Sequence, residues 1–165
     1  MIKWIVGICL VGFTSYCGYF FAKKYRKRKL YFIQLYEFNE RFINELSYFR
    51  RPLSAFIKNY QYKGEFLETL EWFFSHLREK STANYEIFTL INEYDFLTDD
   101  EKRFVTDYFK MLGTSDSLSQ KEYFSTARKT LLELKTKSET ENEKLGGLYV
   151  KLGFLFGLTI LIVIV

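Results

Sequence analysis

Little in this chain of 165 residues supports catalysis or covalent cross-linking. There are 2 cysteines, too few for a disulfide scaffold. A single histidine, His76, removes most His-based catalytic and metal arrangements. With 1 proline and 9 glycines, the chain lacks the turn residues that an all-β fold consumes. It has no Gly-Lys-Ser/Thr or GxGxxG loop to cradle a phosphate, and no HExxH or paired CxxC for a metal. Cys9 and Cys17 lie eight apart in an apolar run, where packing accounts for them better than ligation does. No cofactor and no small-molecule substrate are expected.

Hydrophobic residues make up 48% of the sequence and aromatics 20%, so an unfolded chain is excluded. The net charge of +4 is unevenly spread. Lys23, Lys24, Arg26, Lys27, Arg28 and Lys29 fall within seven residues, whereas residues 30–144 carry 16 basic and 20 acidic side chains. A basic cluster beside an apolar run marks a membrane boundary and anionic lipid rather than a nucleic-acid surface.

That apolar run, Trp4 to Ala22, has nineteen uncharged residues. As a helix it spans about 29 Å, one hydrocarbon core. Its hydroxyls (Thr14, Ser15, Tyr16, Tyr19) can return to backbone carbonyls or sit near the interface. The positive charge follows the run instead of preceding it, and Phe20-Phe21-Ala22 makes a poor cleavage site. An uncleaved anchor is therefore expected. A second apolar run covers 145–165, with Lys151 as its one charge, placed to snorkel toward a headgroup. Small residues recur at packing intervals in both runs: Thr14, Gly18 and Ala22 in the first, Gly153 and Gly157 in the second. The positive-inside bias puts residues 23–29, and the chain between the spans, in the cytoplasm.

Between the runs the apolar spacing is helical. Leu35, Phe38, Phe42, Leu46 and Phe49 mark one helix. Pro52 opens a short one with Leu53, Phe56 and Ile57, and Gly64 breaks the chain. Phe66, Leu70, Phe73, Phe74 and Leu77 form the next stripe, ending near Lys80–Ser81. Another helix carries Tyr85, Phe88 and Ile91. Thr98 and Glu101 form a capping box ahead of Phe104, Val105, Tyr108 and Leu112, with Gly113 as the C-terminal cap. Ser117 and Gln120 form a second box, with Asp116 favourable at the helix start. Tyr123, Ala127, Leu131 and Leu134 mark the last core stripe. It runs on into the wholly polar Lys135–Lys144, read as a stalk that continues the helix, with a bend at Gly146-Gly147.

The expected fold is all-α, a bundle of about five or six helices flanked by transmembrane helices. Its segments are an anchor (1–22), a basic juxtamembrane stretch (23–29), a cytoplasmic helical domain (30–134), a polar stalk (135–144) and a second span (145–165). Two other readings of the residues stay open. One is a lipid-surface protein working through the basic cluster. The other is a membrane-anchored enzyme using His76 with Glu79.

The run Leu112-Gly113-Thr114-Ser115-Asp116 with Gln120, followed by a long polar helix and by Gly147-Leu-Tyr149-Val-Lys-Leu152-Gly153 with Gly157, resembles the stage III sporulation protein AB family. Gly18 to Lys29 resembles that family's end-of-anchor basic stretch. Leu46-Ser-Tyr48-Phe-Arg-Arg-Pro52-Leu53 resembles its helix end and Pro-Leu restart, and Leu97-Thr98 the start of the helix before the L-G-x-S-D turn. The resemblance covers almost the whole chain. It implies a non-enzymatic platform component of a secretion-like channel at the mother-cell side of the membrane around the forespore. It also implies a cytoplasmic domain similar to that of the type II secretion platform protein F, and a secretion-type cytoplasmic ATPase as partner. Ser115, Asp116 and Gln120 are then the residues expected to hold the helix-to-helix corner and to face a partner.

Overall fold

The computed structural model describes residues 2–48, 61–76, 83–112 and 117–164. The fold is all-α: among the described residues there are six α-helices and no strand. They are α1 (Ile2–Tyr48), α2 (Gly64–His76), α3 (Ala83–Asn92), α4 (Asp99–Leu112), α5 (Ser117–Glu141) and α6 (Gly147–Ile164). A π-helical turn, Asn142–Gly146, lies between the last two. The chain divides into two compact units, one made of residues 1–29 with 136–165 and the other of residues 30–135. The Pro52 helix, Phe49, Leu77, the turn at Lys80–Ser81, Gly113, Ser115 and Asp116 lie outside the described residues. So do the side chains of Leu46, Tyr85 and Ser117.

Residues 30–135 form a body around an aromatic core. The α1 stripe buries Leu35, Phe38 and Phe42, and adds Tyr31 and Phe32 one turn earlier. From α2 come Phe66, Leu70 and Phe73. From α4 come Val105, Tyr108, Phe109 and Leu112, and from α5 come Phe124, Ala127 and Leu131. The rings meet mainly edge to face, the arrangement that sets the positive edge of one ring against the negative face of the next. Phe42 and Tyr108 each approach Phe124 with ring centres 4.9 Å apart. Four expected core positions shift: Phe74, Phe104, Tyr123 and Leu134 are only half-buried against the core. On α3 the inward positions are Ile87 and Ile91, four apart on one face, while Phe88 is turned outward.

Two buried amides tie the elements of this body together. Buried Asn39 accepts from the Tyr108 hydroxyl at 3.1 Å and donates to the Phe124 carbonyl at 3.3 Å, tying α1, α4 and α5 at one point. The Gln34 amide pairs with both backbone groups of Lys63, accepting from its N–H at 2.6 Å and donating to its carbonyl at 2.9 Å. This anchors the chain just before Gly64, whose φ of +62° only glycine adopts freely. The expected capping box is formed: the Thr98 N–H donates to the Glu101 carboxylate at 3.0 Å, and the Glu101 N–H to the Thr98 hydroxyl at 3.4 Å.

The anchor, the basic stretch and the first body helix are a single helix, α1, because neither proline nor glycine occurs between Tyr19 and Tyr48. The chain stays helical through Gly146-Gly147, where a bend is expected. Gly147 keeps right-handed helical angles (φ −71°, ψ −34°), and the irregularity is the π turn before it.

Candidate functional site: a glycine-seamed helix hairpin

The unit made of residues 1–29 and 136–165 is held by a narrow seam between α1 and α6. A Cβ placed on Gly18 would lie 2.5 Å from the Tyr149 carbonyl oxygen and 3.2 Å from the Gly153 Cα. One placed on Gly153 would lie 2.6 Å from the Thr14 carbonyl oxygen, and one on Gly157 would lie 2.8 Å from the Val11 Cα. A Cβ on Gly7 would meet the Leu161 side chain. Residue numbers rise along one helix as they fall along the other, so the pair is an antiparallel hairpin. Glycine is needed on both sides because the backbones nearly touch. Ala22, also on the sequence-derived stripe, is buried. Thr14 sits in the seam with its hydroxyl returned to the Leu10 and Val11 carbonyls at 3.0 and 3.1 Å, so its donor is satisfied within its own helix.

Away from the seam both helices are apolar on the outside. Phe13 is 65% exposed, Tyr16 66%, Phe156 65% and Val163 80%. Water would penalise this much exposed apolar surface, whereas lipid tails accept it. Both helices are long and apolar enough to cross a membrane.

At the end of the seam the contacts change character. Tyr25 stacks on Tyr149 with ring centres 5.7 Å apart and planes at 17°, and Phe21 packs on the same ring at 5.9 Å. Beyond them the Arg28 guanidinium forms an ion pair with the Glu141 carboxylate. The basic stretch is therefore not uniform. Lys23 and Arg26 are exposed and Lys24, Lys27 and Lys29 half-buried, but Arg28 is turned inward and committed to Glu141. Arg28 thus departs from the expected lipid-facing set: its charge is taken up by a carboxylate 113 positions away.

Of the corner residues only Gln120 lies within the described residues. Its amide donates to the Met111 and Leu112 carbonyls at 3.2 and 3.3 Å, closing the C-terminal end of α4, which is a capping role. His76 stacks on Trp72 with ring centres 4.3 Å apart, and its Nδ1 lies 2.9 Å from both the Trp72 carbonyl and the Ser75 hydroxyl. Those contacts hold the ring against its own helix; Glu79 lies outside the described residues. Among the described residues no group of three or more His, Cys, Asp or Glu side chains is placed to share a metal ion.

Sequence reasoning located Gly18, Gly153 and Gly157. It missed Gly7, the Arg28–Glu141 pair and the Tyr25–Tyr149 stack. Gly7 was findable, since it precedes Thr14 by seven residues and so shares its face. The other two are pairs between distant segments and leave no local spacing to read.

A helical body joined by sequence to a hairpin of two membrane-length, lipid-compatible helices defines a class, the membrane-anchored all-α protein. Within it, the chain belongs to the stage III sporulation protein AB family, whose family model matches residues 3–165. It is thereby a sporulation protein. Comparison with curated proteins and comparison with solved structures each gave no match.

Proposed function

We propose that this protein is a non-enzymatic platform component of a secretion-like channel complex, made for sporulation, in the mother-cell side of the membrane around the forespore. In this reading the hairpin spans the bilayer, residues 23–29 hold their end in the cytoplasm, and the body docks a secretion-type cytoplasmic ATPase. Membrane lipid and the other proteins of the complex are the remaining partners, and nucleic acid is not among them. The observation that carries the reading is the seamed hairpin. An enzyme needs only one anchor, whereas two helices closed on each other without a gap give a fixed base for assembly. Family membership supplies the sporulation setting.

The test is co-purification of the full chain, from membranes, with the ATPase of the same operon. Retention that survives moderate salt is expected, and no association at any salt would refute docking. His76→Ala should leave sporulation unchanged; its failure would favour the enzyme reading instead.

A further inference from the structure

The π turn at Asn142–Gly146 is the one irregular element among the described helices, and it lies between two features that both face α1. On its membrane side is the seam residue Gly153, and on its other side is Glu141, paired with Arg28. Glu141 precedes Gly153 by twelve residues. A regular α-helix turns about 100° per residue, so twelve residues leave the two side chains about 120° apart around the axis. Eleven residues would leave them about 20° apart. A π turn closes i→i+5 hydrogen bonds and so absorbs one extra residue within a helix. With that residue absorbed, Glu141 falls on the seam face. Ser138, three residues earlier, then lies about 40° from Gly153 around the axis and is 1% exposed.

We propose that this turn is a phase-setting device: it stores one surplus residue so that the glycine seam and the Arg28–Glu141 pair can close together. The chain at this point has two ways to run. In one, the π turn is present and Glu141 meets Arg28. In the other, the helix is regular and Glu141 is carried about 100° round the axis, away from it. The ion pair selects the first. The junction is thus a two-position rotary joint, latched by one arginine and one glutamate, at the point where the polar run 135–144 meets the apolar helix.

The test changes the residue count across the joint and reads, at each length, whether Glu141 still meets Arg28. Full-length protein in lipid nanodiscs carries Cys9→Ser and Cys17→Ser, with Tyr25→Cys and Tyr149→Cys as a cross-linking reporter of the closed hairpin. Three lengths are compared: the parent, a deletion of Gly146, and an insertion of one alanine between Gly146 and Gly147. In each, the effect of Glu141→Gln is read as the shift in the SDS fraction at which half the cross-linking is lost. In the parent and the deletion, Glu141→Gln should lower that midpoint by the same amount, because eleven regular residues keep Glu141 at Arg28. In the insertion it should shift nothing, because Glu141 has already left. An equal shift in the insertion, or no shift in the deletion, would overturn the proposal. Should the inserted chain fail to cross-link at all, the deletion decides alone, its shift supporting the proposal and its lack of one refuting it.

Discussion

The two units solve the problem of holding helices together in opposite ways. Residues 30–135 use bulk, with a buried set of Phe, Tyr, Leu and Ile whose rings interlock at centre distances near 5 Å. Residues 1–29 and 136–165 use the lack of bulk, with three glycines that let two backbones approach within van der Waals contact while the large side chains point outward. The difference follows from the medium. In water, burying a phenyl ring is favourable by a few kcal/mol, so a large core is the source of stability. In lipid the surroundings are as apolar as the side chain, so only close packing and paired polar groups favour contact. Charge follows the same division. The hairpin unit carries ten basic and three acidic residues, and the body fourteen basic and seventeen acidic. The excess of positive charge is a property of the membrane-facing unit alone.

The contrast can be broken from either side, and the body should show the largest effect. Phe124→Ala removes the ring on which both Phe42 and Tyr108 pack, and should cost about 3–5 kcal/mol in urea unfolding of the full chain. Cross-linking between positions 25 and 149 should persist in that variant. Loss of both together would mean the two units share one cooperative transition.

Asn39→Ala comes next. It strips the Tyr108 hydroxyl of its acceptor and the Phe124 carbonyl of its second, side-chain donor, and should cost about 1–3 kcal/mol by the same unfolding measurement. Asn39→Leu should not restore stability, since the Tyr108 hydroxyl would stay buried without its acceptor.

In the hairpin, Gly18→Ala sets a methyl group against the Tyr149 carbonyl. It should lower the SDS midpoint of the 25–149 cross-link while leaving urea unfolding of the body unchanged. Gly12→Ala is the control, because nothing lies within 4 Å of a Cβ there. An equal loss from both substitutions would show that the seam is not what holds α1 to α6.

The smallest effect is one of pH. Burial pushes the Tyr94 phenol up to about 12, and pushes the Tyr31 and Tyr108 phenols up as well. The folded body therefore holds these protons when the unfolded chain has lost them. Their contribution to stability is complete below about pH 10, the ordinary tyrosine value, and is lost as pH rises through the folded values. Urea midpoints should fall between pH 9 and pH 11.5, and Tyr94→Phe should flatten part of that fall. A midpoint independent of pH over this range would contradict the buried positions of the phenols.

Much of this was legible from spacing. The apolar runs, the stripes on α1, α2 and α4, the Thr98–Glu101 box and the glycines at 18, 153 and 157 all follow from counting by threes and fours. Spacing failed where a choice lay between adjacent apolar residues, as with Ile87 and Phe88, because only the packed neighbour decides which one turns inward. It failed for Asn39, which reads as one polar residue on an apolar helix until Tyr108 and Phe124 are brought to it. It failed also for Arg28, one of six similar cations, of which a single carboxylate far along the chain selects one. The Gly146-Gly147 pair marks the place of the π turn but not its register, because a surplus residue has meaning only once both ends of the helix have found partners.

The two ends of the chain close into one antiparallel hairpin, and a bilayer is where that closure is to be read. The direct measurement is oxidative cross-linking of the Tyr25→Cys, Tyr149→Cys chain, with Cys9→Ser and Cys17→Ser, in carbonate-washed membranes of sporulating cells. The protein should stay in the washed membranes and form an intramolecular cross-link in most molecules. Recovery of the chain in the wash, or cross-links found only between separate chains, would contradict it.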